Sequence, residues 1–241
     1  MQIESTALVL RPRSTWEGCD LGVRLLQSSL YPVYLCYLSV ALPLFLVMLA
    51  TYAVAPWLPA LLIWLAKPWL DRTILFAVSR AMFGESTTPA DVWDARRSVW
   101  QSGIASTLSL SRLSASRSFK QPVLQLEGLS GSALRERVRT LTLRHRGVAR
   151  MMTTAFATAE LALWVSLLGL QIWLAPQTLG VESLGGMLAS NEGLIATIAY
   201  AAAVAFVEPF YVAAGFGLYL NRRVELEAWD LEQEFRRAFA A

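Results

Sequence analysis

Two cysteines and one histidine are all that the 241 residues offer for soft-metal or redox chemistry. Cys19 and Cys36 cannot define a disulfide framework, and each reads as a packing residue, one on a surface-helix pattern and one in an apolar run. His145 stands in the basic run RHR, with no cysteine or carboxylate cluster at ligand spacing, so it reads as a surface residue rather than a metal ligand. Serines are plentiful, yet no G-x-S-x-G elbow is present, and a Ser-His-Asp set would have to be built around that one histidine. Walker A and dinucleotide glycine patterns are absent too. Glu160 and Glu208 could in principle do acid/base work on a lipid-borne substrate, but nothing supplies a nucleophile or a metal. The expectation is a protein that is not an enzyme and carries no cofactor or metal.

Charge is also scarce. Only 16% of residues are charged against 55% hydrophobic, with nine tryptophans, a balance that suits a membrane protein. Apolar runs lie at residues 31–66, 151–175 and 193–220, each at or beyond the ~20 residues a helix needs to cross the hydrocarbon core. The first run could pass for a signal peptide, because AVA at residues 53–55 resembles a cleavage site. Its length and the thirty polar and amphipathic residues before it argue for a retained helix. The fold class expected is all-α, a polytopic bundle of about four spans: residues 31–55, 57–83, 151–175 and 193–220. The second span is the odd one, with KPWLDR in its middle, and is expected to be kinked or broken at Pro68, or even re-entrant. Pro209 is a second kink position, in the fourth span.

Lysine and arginine are missing from residues 176–192, between the last two spans, whereas residues 84–150 hold eleven against five Asp or Glu. The positive-inside rule then puts both termini and this middle region in the cytoplasm. Residues 1–30 form an N-terminal segment in which Ser14 and Glu17 make a capping-box pattern, followed by Trp16, Leu21, Leu25, Leu26 and Leu30 at helical spacing. Such a helix either lies in the headgroup layer or packs on the protein's own cytoplasmic face. Thr88, Pro89 and Asp91 mark another helix start. Residues 221–241 read as a C-terminal amphipathic helix striped by Val224, Ala228, Leu231, Phe235 and Phe239. The basic residues Arg135, Arg137, Arg139, Arg144, Arg146, Arg150, Arg222 and Arg223 are candidates for binding anionic lipid or a protein partner. Nucleic acid is a poor fit, because the positive-inside rule accounts for these charges and no nucleic-acid motif accompanies them.

Counting from each span's cytoplasmic end at 1.5 Å per residue puts Glu208 about 18 Å deep, Glu160 about 15 Å, and Asp71 and Arg72 about 17 Å, with Lys67 slightly beyond. An unpaired charge there costs roughly 2.5 to 3.5 kcal/mol, so these groups are expected to meet inside the bundle. The expected network sets Asp71, Glu160 and Glu208 against Lys67, Arg72 and Arg80, with Arg72 or Lys67 bridging the carboxylates of spans three and four. Its role is either to fix helix register or to form a polar path or binding site.

The pattern Pro209-Phe210, Ala213, Leu218-Tyr219, Asn221-Arg222-Arg223, Glu225, Glu227 and Asp230-Leu231-Glu232 resembles the end of bacterial integral membrane proteins related to the membrane domain of glycerophosphoryl diester phosphodiesterases, with Ala228 in place of the usual glycine. LRPRSTWEGCDLG, KPWLDR, SRAMFGE and RSFKQPVLQLEGLSG resemble uncharacterised proteobacterial inner-membrane proteins with the same ending. The resemblance implies an inner-membrane, cell-envelope setting. It implies no phosphodiesterase activity, because that catalytic domain is absent from this chain.

The leading functional expectation is a non-enzymatic scaffold or accessory subunit of an envelope complex. A small, oligomeric channel or transporter built on the charged layer is the alternative, and anionic-lipid binding at the basic surface a further one. A cavity reaching the carboxylates would favour transport. A dry, closed network would point to the cytoplasmic surface.

Overall fold

The computed structural model describes residues 13–101, 117–143, 146–178 and 192–227, and among these all regular structure is helical. The helices are α1 (Thr15–Ser28), α2 (Leu30–Ala50), α3 (Leu58–Ala81), α4 (Pro89–Asp94), α5 (Arg117–Leu126), α6 (Gly131–Thr142), α7 (Arg146–Thr178) and α8 (Glu192–Glu227). A 3-10 turn, Thr51–Ala53, extends α2, and a single π turn, Arg97–Gln101, follows α4. Three helices are long and apolar enough to cross a membrane: α2 with its extension, α7 and α8.

Local chemistry sets the helix starts. Ser14 accepts from the Glu17 amide while the Glu17 carboxylate takes the Ser14 N–H, and Thr88 with Asp91 repeats the device ahead of Pro89, so orphan amides at both starts are satisfied. Beyond α3 the chain turns through Gly84 at φ 75°, a left-handed conformation that a side chain would resist.

α8 is the hub and touches α1, α2, α3, α5, α6 and α7. Its crossing with α1 brings the two backbones into contact. Gly18 and Gly22 of α1 face Ala213, Gly217 and Asn221 of α8, running antiparallel; a Cβ on Gly22 would collide with the Ala213 carbonyl, and one on Gly217 with the α1 backbone. The Asn221 amide closes the crossing by accepting from the Arg13 N–H (3.0 Å) and donating to the Arg13 carbonyl (2.9 Å). The buried side of α1 is therefore used inside the bundle rather than on lipid, with Gly18 and Gly22 on α8 and Cys19 donating to Met152 Sδ of α7 (3.7 Å).

α3 runs unbroken through Pro68, so residues 57–83 do not form a re-entrant pair of half-helices. From Lys67 to Val78 nearly every residue is buried on all sides, which places the charged middle of this helix at the centre of the bundle. α8 likewise continues through Pro209, and on to Glu227, so no separate helix begins at residue 221. The rest of the expected tail stripe, the serine-rich stretch after Gln101, Arg144 with His145, and residues 179–191 lie outside the described residues. Exposed apolar side chains cover the outward sides of α2 (Tyr31, Leu42, Leu46, Val47) and α7 (Met151, Leu161, Val165, Leu170), as lipid-facing helices require.

Candidate functional site: a buried chain of charges

Four of the six groups of the expected network meet: Lys67, Asp71, Glu160 and Glu208. The Lys67 ammonium from α3 sits 2.5 Å from Glu160 Oε2 on α7 and 2.8 Å from Glu208 Oε2 on α8. The other Glu208 oxygen is bound by the guanidinium of Arg117, whose Nε lies 3.2 Å from Asp71 Oδ2. The result is one alternating chain: Glu160, Lys67, Glu208, Arg117, Asp71. Asp71 and Glu208 are essentially inaccessible, at 0% and 1% exposure, and Lys67 is 8% exposed. Placing charges so deep is tolerable because each has an opposite partner.

Arg117 was not anticipated, and it takes the place expected for Arg72. It enters from α5, a helix that packs on α3 and α8, and its guanidinium also lies 5.2 Å from the Tyr211 ring centre. Arg72 turns the other way and donates to the Val99 and Trp100 carbonyls (3.5 and 3.3 Å) in the π turn. Arg80, also expected in the network, pairs instead with the exposed Glu85 at 2.9 Å. Helical geometry explains Arg72: one residue after Asp71, it points about 100° round the helix, away from α8.

The signal for Arg117 was present as a polar stripe. Arg117, Gln121 and Gln125 recur four apart, and all three address α3. Gln125 donates to the Arg72 carbonyl (3.0 Å), and the Gln121 amide, oriented by its surroundings, donates to Asp71 Oδ2 (3.3 Å) and accepts from the Arg72 N–H (3.0 Å). Two buried polar atoms bordering the chain, Asp71 Oδ1 and the Tyr37 hydroxyl, take no hydrogen bond among the described residues.

At the Glu160 end the chain meets an open-sided cavity of about 330 Å³, lined by residues of α3, α7 and α8. Ala60, Ala157, Leu161, Trp164, Thr197 and Tyr200 line it with Glu160. Trp164 donates to the Ala196 carbonyl (2.9 Å) and stands edge-on to Tyr200, so both rings are held in place at the cavity wall.

The arginines expected at a lipid or partner surface divide into two sets. Arg137 pairs with Glu127 (2.7 Å) and Glu227, Arg223 lies 4.0 Å from Glu127 as well as pairing with Glu227 (2.6 Å), and Arg222, paired with Glu225 (2.7 Å), donates to the Leu141 carbonyl (3.3 Å), so these three tie α6 and the α5–α6 turn to the end of α8. Tyr219 joins them by donating to Glu127 Oε1 (2.8 Å). Burial alone would raise the Glu227 carboxyl, but hydrogen bonds from Arg223 and Arg137 prevail and hold it below the usual carboxylate range. Arg135, Arg139, Arg146 and Arg150 remain exposed, and Arg144 lies outside the described residues. No family model matches the chain, and neither a curated protein nor a solved structure shows significant similarity to it.

Proposed function

We propose that this is a four-span protein of the bacterial inner membrane that binds a small solute within the bilayer and moves it, with α3 as the span the apolar criterion misses. The observation that carries this reading is the cavity that ends on Glu160, which joins an accessible space to a buried charge chain at the depth where transport sites lie. The lysine and arginine distribution favours cytoplasmic termini and a cytoplasmic α4–α6 layer, leaving the cavity in the outer half. Topology is tested by maleimide labelling of intact cells: a cysteine at Ser183 is labelled from outside, one at Ser132 only after permeabilisation. Burial pushes the native Cys19 thiol up to about 11, which keeps its background reaction low.

Transport is tested in proteoliposomes challenged with a panel of small ions and amphiphiles while internal pH and current are read. A response abolished by Glu160→Gln supports the reading. Silence across the panel, with a partner protein retained stoichiometrically through mild detergent, would favour a scaffold or accessory role. That second reading draws on Trp93, Leu126 and Leu143, which are 47%, 43% and 52% exposed on the α4–α6 layer where lipid tails would not cover them.

A further inference from the structure

The cavity differs from an ordinary lipid-filled crevice in three ways. Its inner end is a carboxylate, and only one oxygen of that carboxylate is engaged among the described residues: Lys67 holds Oε2, while Oε1 takes no hydrogen bond. Two aromatic rings, Trp164 and Tyr200, stand in the wall with fixed orientation. The local charge is also unbalanced, because Glu160 and Glu208 share the single Lys67 ammonium, and Arg117 is shared between Glu208 and Asp71. Along the whole chain three carboxylates face two cations.

A buried excess negative charge is costly unless a proton or another cation neutralises it. A strongly hydrated ion would find few oxygens here, since everything in the wall but Glu160, Thr197 and Tyr200 is apolar. A weakly hydrated organic cation loses little on leaving water, and aromatic faces beside a carboxylate are what recognises it. The volume stands at the lower end of the ~300 to 1,000 Å³ of small-molecule sites.

We propose that the cavity takes a quaternary-ammonium-type monovalent organic cation against Glu160, and that its binding releases to water the one proton that otherwise neutralises the charge chain. This deepens the transport reading and rests on it for the cavity's purpose, though binding itself requires no transport. The titratable and charged groups that face the chain are Arg72 from α3, Tyr37 from α2, and Tyr200 and Tyr211 from α8, beside its own members Lys67, Asp71, Arg117 and Glu208. Of the cations among them, Lys67 alone reaches Glu160 directly. Exchange is charge-neutral: one cation enters and one proton leaves.

The test uses the whole protein in nanodiscs of phosphatidylethanolamine and phosphatidylglycerol, with benzyltrimethylammonium as the probe and its neutral isostere 2,2-dimethylpropylbenzene as control. Calorimetry in buffers of different ionisation enthalpy reads affinity and proton release together. The expected result is saturable binding of the cation, one proton released, and affinity rising up to about tenfold per pH unit where the proton is displaced. Glu160→Gln abolishes binding; Ala157→Leu, which narrows the mouth of the cavity and leaves every charge in place, weakens it at least tenfold. Glu160→Asp, which keeps the charge, retains weakened binding and guards against a misfolded glutamine variant. Competition by dodecylphosphocholine as strong as that by free cation assigns the same chemistry to a lipid headgroup; no competition assigns it to a free cation. Equal binding of the neutral isostere, or cation binding indifferent to Ala157→Leu and Glu160→Gln, overturns the proposal. A Glu160-dependent response to some other solute in proteoliposomes, without cation binding, would overturn the ligand class and leave the transport reading standing.

Discussion

At the scale of single residues, charge position decides consequence. Glu208 holds the middle of the chain, so Glu208→Gln strips Lys67 and Arg117 of a shared partner inside the bundle. Lys67 keeps Glu160 and Arg117 keeps Asp71, so the chain falls to two matched pairs and the cost is that of the lost hydrogen bonds; the variant is expected to lose about 1 to 3 kcal/mol of stability in detergent unfolding. Arg80→Gln removes an exposed pair with Glu85 and is expected to change stability by less than about 1 kcal/mol. Four members of the chain were legible because a charge in an apolar run announces itself. Arg117 was hidden because a charge in a polar, serine-rich neighbourhood does not. Glu227 adds a pH dependence. Its folded carboxyl titrates below the unfolded one, so its contribution is complete at neutral pH and is lost as pH falls from about 4.5 through the depressed folded value. Thermal melts from pH 7 to pH 3 are expected to show that loss, and Glu227→Gln to flatten it.

At the scale of elements, the α1–α8 crossing shows what apolar periodicity leaves out. The stripe on α1 could serve a membrane surface or a protein surface equally well, and residues spaced four apart on both helices distinguish the two: Gly18 and Gly22 against Ala213 and Gly217. Such spacing on one helix does not say which partner will come near it. Gly22→Ala is expected to cost about 1 to 3 kcal/mol by overpacking and to free α1 for proteolysis. Gly169→Ala, on an open side of α7 with nothing within 4 Å of the new methyl, is expected to stabilise by about 1 kcal/mol through helix propensity. The pair of variants separates contact from propensity in one unfolding experiment.

At the scale of the molecule, composition sufficed to expect helices long and apolar enough to cross a membrane, and among the described residues all regular structure is helical. It did not reveal that the charged helix α3 would be so enclosed. α3 combines a polar middle with burial on every side, and hydropathy averages those two facts into an ambiguous helix. Enclosure depends on α2 and also on α5 and α8, the last two lying far along the chain.

The hub helix has a consequence for biogenesis. α8 is the last described helix to leave the ribosome, yet α1, α3, α5 and α7 all close on it. Until it arrives, Lys67 and Asp71 have been delivered to the membrane without Glu208, and the glycine face of α1 has no surface to meet. A chain cut before residue 192 lacks the helix on which the others close, and is expected to be degraded rather than to accumulate as a folded fragment, as a pulse-chase of the truncated chain would show.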